Sequence, residues 1–362
     1  MTKLKYVLTL ILTGGLLLGF GLWWMLKPAD VYSDSERRPL TQAPPLTAQA
    51  VFSGDFMANF ENYALDQFPM RDRFRGLKAT ASFSLLHQLD NNGIYQVNDS
   101  VSRLDTVLQK DLVQHSLDTI LGICDVYLDD CTVYLAVIPD KNYYLAEPNG
   151  YPSLDYDALY DQIDQSGLTR IPLEDCLSAE SYYRTDTHWK QEAILPVAET
   201  LAAAMGTNAT VDYETRILDV PFYGVYYGQS ALHLEPDTIR YLTNETLESC
   251  TVTSYATGAA KPALLYNTEK AAGKDAYDFF LQGTEPLLVI ENPNAVTDRE
   301  LILFRDSFGS SLAPLLIEGY AKITLVDLRY LQPEILGQYI TFDGQDVLFL
   351  YSTLILNSTA LK

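Results

Sequence analysis

Cysteine and histidine are both scarce in this chain, four of each among 362 residues. Basic residues are outnumbered too: 25 Lys and Arg stand against 47 Asp and Glu, for a formal charge of −22 and a pI near 4.4. A surface of that sign repels phosphate, which excludes nucleic acid as a partner and argues against a domain that clings to anionic lipid. Cys124, Cys131, Cys176 and Cys250 match the spacing of no zinc ribbon, and four cysteines in so long a chain make no disulfide framework. Cys124 and Cys131 stand close enough to bridge if the Asp129-Asp130 segment turns, and fit equally well as free small hydrophobes. No internal repeat, low-complexity block or cofactor motif is present.

What the chain does have is apolar material, 48% of its residues, with 12% aromatic, enough to bury a full core in one large domain or two small ones. Tyrosine is abundant at 25 residues, which suits stacking on sugars and equally suits half-buried packing.

Residues 6–26 are an uncharged, Leu-rich run of 21 bounded by Lys3, Lys5 and Lys27. As a helix the run reaches about 30 Å, the thickness of a bilayer core. Trp23 and Trp24 stand at its carboxyl end, where amphipathic rings favour the interface. The run is longer than a cleaved signal's apolar core, and no small-x-small site follows it. It reads as a retained signal anchor of a single-pass cell-membrane protein, amino terminus inside and main domain extracellular. Beyond it lie 22 basic and 47 acidic residues, so that part should stand off an anionic membrane. Residues 28–55 are polar and proline-containing and read as a linker, leaving 56–362 as the folded domain.

Within that domain, helical spacing marks residues 56–68, a second helix to about 89 with Leu77, Ala81, Leu85 and Leu89 on its inner stripe, then 104–122, 156–166, 189–205 and 310–318. Apolar, β-rich runs at 132–138, 168–171, 287–291, 300–304, 321–328 and 347–351 read as buried strands. Their alternation indicates an α/β sandwich with a mostly parallel sheet. Residues 207–298 are less regular and include an aromatic loop from Pro221 to Gly228.

Two stretches carry chemistry. Asp186-Thr187-His188 places a carboxylate two residues before an imidazole; on extended backbone both side chains share a face, so Asp186 can orient His188 and leave its other nitrogen free as a base. Asp186 or Thr187 could instead cap the following helix. No third ligand at metal spacing accompanies the pair, and His87, His115 and His233 lack a neighbouring acid–base pattern. Far downstream, Ser307 stands between a strand and a helix, where open α/β sheets place their sites and where helix-start N–H groups could hold an oxyanion. Arg305 precedes it where a G-x-S-x-G elbow has glycine. Read alone, this segment favours a helix cap by Asp306 and Ser307. Read together, the stretches supply nucleophile, base and orienting acid, the minimum for acyl transfer through serine.

Tyr182-Tyr183-Arg184-Thr185-Asp186-Thr187-His188-Trp189 and Phe304-Arg305-Asp306-Ser307-Phe308-Gly309 resemble the DHHW proteins and the related alginate O-acetyltransferase proteins, an SGNH-hydrolase-like group. The Asp-x-His pair precedes the serine in both. Further likeness lies in Asn59 to Asp72, in Val137 to Tyr144 and in Asp327-Leu328-Arg329-Tyr330. The resemblance implies an SGNH-hydrolase-like three-layer sandwich with a catalytic triad of Ser307, His188 and Asp186; Arg305 beside the serine, Tyr330 in Asp-Leu-Arg-Tyr and Tyr223 in the aromatic loop are expected as neighbours that bind substrate. It implies an extracytoplasmic enzyme moving acetyl groups onto or off a cell-surface polysaccharide, with the donor brought by a separate membrane protein. No counterpart of the oxyanion-hole Gly and Asn blocks of ordinary SGNH esterases is present. The rival expectation is a non-catalytic glycan-binding or assembly component of an envelope machinery, whose functional surface is the tyrosine-rich segment 222–227.

Overall fold

The computed structural model describes residues 2–361. The chain forms two compact units, one running up to Asn92 and including Tyr227–His233, the other comprising Gly93–Tyr226 and the chain from Leu234 onward.

In the first unit, Thr2–Leu26 is a single helix, long and apolar enough to cross a bilayer. A short antiparallel pair, Tyr32–Ser33 with Arg38–Pro39, leads to the helices Ala48–Ser53, Asp55–Asp66 and Arg71–Thr80. Gly54, at φ +84°, ends the first of these and starts the second, a left-handed turn that suits glycine. Asp66 ties the unit together: its carboxylate accepts from Arg38 at 2.6 and 2.8 Å and from the Thr41 N–H at 2.9 Å. The Arg38 hydrogen bond holds the Asp66 carboxyl well below the usual carboxylate range. The helix expected to reach residue 89 instead stops at Thr80 and passes into one π turn, Ala81–Leu85. Its supposed inner stripe faces outward, with Leu77, Leu85 and Leu89 exposed by 65%, 74% and 63%.

The second unit is built on eight strands: β1 (Thr132–Ile138), β2 (Arg170–Ile171), β3 (Thr251–Ser254), β4 (Lys261–Ala263), β5 (Leu287–Glu291), β6 (Glu300–Arg305), β7 (Lys322–Val326) and β8 (Asp346–Ser352). Their order is β4-β3-β5-β7-β6-β8-β1-β2. The five strands from β7 to β2 are parallel, and β5, β3 and β4 add an antiparallel margin.

Alternation along the central strands explains the layers. Leu301, Leu303, Leu348 and Leu350 point to one face and pack with the helices Leu195–Ala204 and Gly309–Leu316. Ile302, Phe304, Val347 and Phe349 point to the other and pack with Lys110–Tyr127 and Tyr156–Asp164. Strands covered on both faces must be apolar throughout, which is why these runs stood out in the sequence. The result is a three-layer α/β sandwich with a mostly parallel sheet. All four cysteines are free, so Cys124 and Cys131 do not bridge. The irregular region contains a hairpin of Glu214–Phe222 with Asp237–Thr243.

Candidate active site

The parallel strands β6 and β8 end together, and there the chain turns sharply. Asp306 is wholly buried; its carboxylate accepts from the Phe308 N–H at 3.0 Å and from the Ser352 N–H at 2.8 Å. That double bond stitches the end of β6 to the end of β8 and turns Ser307 out over the sheet edge, where it is half-buried. The helix Gly309–Leu316 receives no side-chain cap, so the expected capping role of Asp306 and Ser307 is not what the structure uses.

Asp186 and His188 arrive on a tight loop rather than on extended backbone. Tyr182 and Trp189 form an antiparallel bridge, closed by Tyr183 N–H to His188 O at 3.0 Å and Lys190 N–H to Ser181 O at 2.8 Å. Between them Asp186 Oδ1 accepts from the His188 N–H at 3.0 Å, an Asx turn that folds carboxylate and imidazole onto each other. No helix starts at Trp189. A 3-10 turn, Gln191–Ala193, intervenes, and the α-helix begins at Leu195, with Pro196 in its first turn.

The pieces meet closely. His188 Nδ1 lies 2.6 Å from Asp186 Oδ1, and His188 Nε2 lies 2.8 Å from Ser307 Oγ, across 119 residues of sequence. The second Asp186 oxygen accepts from the Val225 N–H at 2.7 Å. Burial alone would push the Asp186 carboxyl upward; the facing His188 and the N–H donors overcome it and hold the group well below the usual carboxylate range. An ionised Asp186 fixes the proton on Nδ1 and leaves Nε2 to accept from the Ser307 hydroxyl.

Several supports were not visible in the sequence. A Cβ on Gly224 would sit 2.3 Å from both Thr185 O and Asp186 Cβ, so only glycine lets the Val225 N–H reach the carboxylate. Thr185 and Arg184 are pinned by Asp237, which accepts from both backbone N–H groups at 2.8 and 3.0 Å. Lys141, also buried, donates to Val101 O, Tyr183 O and Arg184 O at 2.6, 2.8 and 2.7 Å. Tyr277 stacks on the His188 ring, and its hydroxyl shares Ser311 Oγ with the Trp189 indole.

The remaining expected neighbours are placed differently. Arg305 is completely buried, 3.5 Å from Asp327 and against the Gly309 backbone, where a Cβ would lie 2.6 Å from its own. It supports the sheet edge from inside and presents no charge to a substrate. Tyr330 is 55% exposed and sits over Arg329, whose guanidinium binds Asp327. Tyr223 is 41% exposed, immediately before Gly224 and Val225. Phe222 and Tyr226, the other aromatic members of that loop in this unit, are buried.

No protein-family model matches the chain, and no curated protein does. Solved structures do. A DHHW family protein from Eubacterium siraeum DSM 15702 is 22% identical with a TM-score of 0.60, over 74% of this chain and 93% of that one. PatB1 of Bacillus cereus, determined with a sulfonyl adduct, is 17% identical with a TM-score of 0.60, over 74% and 98%. The O-acetyltransferase domain of Pseudomonas putida AlgJ is 14% identical with a TM-score of 0.47, over 74% and 93%. The likeness suggested by the Asp-Thr-His-Trp motif thus extends to the whole α/β architecture: this chain has the fold of a DHHW family protein and of PatB1.

Proposed function

We propose that the protein is a membrane-anchored serine acyl-transfer enzyme that moves acetyl groups onto, or off, hydroxyls of a cell-surface polysaccharide. The observation that carries this reading is the His188 imidazole bonded on both nitrogens, to Asp186 at 2.6 Å and to Ser307 at 2.8 Å. Ser307 Oγ attacks the acyl carbonyl while His188 Nε2 takes its proton, and Asp186 stabilises the imidazolium that results. The Ser307 N–H, which donates to no acceptor among the described residues, is available for the oxyanion. His188 returns the proton to the leaving group, leaving an acetyl ester on Ser307. In the second half it deprotonates the acceptor, a sugar hydroxyl in transfer or water in hydrolysis.

The helix Thr2–Leu26 supports membrane anchoring; the acidic unit outside the cell and an acetyl donor brought by a separate membrane protein are further parts of this proposal. The rival reading, a non-catalytic glycan-binding component, draws little support: its aromatic loop buries Phe222 and Tyr226 as packing.

PatB1 is recorded with a sulfonyl adduct, and the same chemistry tests this chain. Detergent-solubilised full-length protein, treated with phenylmethylsulfonyl fluoride and digested, is expected to carry one sulfonyl group on Ser307 and none in Ser307→Ala. Modification that spares Ser307, or none in folded protein, would sink the proposal.

A further inference from the structure

Around the carboxyl end of the helix Thr2–Leu26, the first unit displays apolar side chains that it does not bury. Phe20 stacks on Phe68 and meets Phe74 edge-on, both with ring centroids 5.6 Å apart. Trp24 packs on Phe60 at 5.9 Å and on Tyr63 at 5.6 Å. The helices Asp55–Asp66 and Arg71–Thr80 are therefore held alongside the last turns of the span, not beyond its end.

That placement sets a depth. Phe20 precedes Leu26 by six residues, about 9 Å along a helix axis. With Lys27 at the headgroups, Phe68 and Phe74 lie below them by that distance. An amphipathic helix in a membrane interface sinks about 5–10 Å, so the two values agree.

The outward faces fit the same environment. Phe74, Leu77, Ala81 and Leu85 follow one stripe along Arg71–Thr80 and the π turn after it. Leu65, Leu86 and Leu89 are exposed by 61–63% as well, and Leu65 joins Phe68 and Phe74 around one cavity; large apolar side chains gathered in the open mark a face covered in use. Arg38, Arg71, Arg75 and Lys78 rim a cavity of about 540 Å³ floored by Leu65, Phe68 and Phe74. Glu36, Asp66 and Asp72 pair with the arginines, so four basic groups face three acidic ones and the rim keeps one positive charge in excess.

Charge divides the same way. Residues 28–92 hold six basic and eight acidic side chains, whereas residues 93–362 hold sixteen and thirty-nine. The acidity expected to keep the protein off a lipid surface thus belongs almost wholly to the second unit.

We propose that the helical unit lies in the membrane interface, its apolar face sunk into the leaflet through which Thr2–Leu26 leaves the bilayer. This rests on the membrane-anchor reading above and adds that the unit is a lipid-embedded collar, not a water-filled stalk.

Nitroxide labels on full-length protein in phosphatidylcholine–phosphatidylglycerol vesicles test it. They are placed by Leu12→Cys in the span, by Leu77→Cys and Leu85→Cys on the stripe, and by Val296→Cys, 98% exposed in the second unit. The four native cysteines are replaced by serine. Collision with oxygen should exceed collision with a water-soluble nickel complex at residues 12, 77 and 85, and the reverse should hold at 296. If 77 and 85 behave like 296 while 12 stays in lipid, the anchor stands and the collar is wrong. If both reagents are excluded at 77 and 85, protein covers the stripe, a second copy in these vesicles, and the collar is again wrong. A water-exposed residue 12 would overturn the anchor itself and the collar with it.

Discussion

Tyr277 lies flat on the imidazole of His188, with ring centroids 3.9 Å apart and planes within 9°. Its hydroxyl is bonded to Ser311 Oγ at 2.8 Å, and the Trp189 Nε1–H donates to the same oxygen at 2.9 Å. The imidazole is thus held in its plane by a ring anchored to the helix that follows Ser307. Rotation of the imidazole would break the bond to Asp186 or to Ser307.

Removing that ring should cost turnover more than stability. Tyr277→Leu is expected to lower kcat by about 10–100-fold through misorientation of the base. Tyr277→Phe keeps the stack, loses only the bond to Ser311, and should retain most activity. Steady-state kinetics on an activated acetyl ester separates them; equal losses in both would mean that the stack is incidental.

Gly224→Ala places a methyl against Thr185 O and the Asp186 side chain, at a built distance of 2.3 Å. Relief requires the Val225 N–H to withdraw from the carboxylate. Overpacking of this kind costs about 1–3 kcal/mol, and activity should fall with it. Urea unfolding alongside an esterase assay checks both; full activity with unchanged stability would show that the loop yields freely.

Asp186 also predicts a pH dependence. Its folded carboxyl titrates below the usual range, so the stability it contributes is fully present above the unfolded value, about 3.9. It is lost as pH falls from there through the folded value. Wild type should therefore exceed Asp186→Asn at pH values above about 4, and the margin should close as pH falls below that. Thermal melts across this window measure it; a margin that failed to close below a pH of about 4 would contradict the ionised assignment.

The Lys141 ammonium serves three loop carbonyls, those of Val101, Tyr183 and Arg184. Lys141→Met removes that donor from all three; Arg184 O keeps its bond from the Val101 N–H at 2.9 Å, and any carbonyl left unsatisfied costs about 1–3 kcal/mol. A drop in the unfolding midpoint accompanied by loss of Ser307 reactivity is expected. A stable, reactive Lys141→Met protein would mean that the loop holds its shape without the ammonium.

Much of this was legible in the sequence, for identifiable reasons. Strands covered on both faces must be apolar throughout, so 287–291 and 132–138 were found with their observed ends. Ser307, His188 and Asp186 stand out because few residues in the chain combine such chemistry at such spacing. The supports were hidden because they are contacts across long separations: Asp186 with Val225, His188 with Tyr277, Lys141 with Tyr183. Pro196 falls inside the helix expected over 189–205, yet it does not interrupt one. It sits in the first turn of a helix that starts at Leu195, where proline's missing N–H costs nothing. The stripe of Leu77, Leu85 and Leu89 had the right period but the wrong partner, because periodicity shows that a face is apolar and not what covers it.

The central claim is that Ser307 carries the acyl group. Full-length protein mixed with an activated acetyl ester, acid-quenched within the first turnovers and examined by intact mass, tests it most directly. The account predicts one acetyl addition that maps to Ser307 and is absent in Ser307→Ala and His188→Ala. Acetylation persisting in Ser307→Ala, or folded wild-type protein that neither acquires the acetyl group nor turns over the ester, would contradict it.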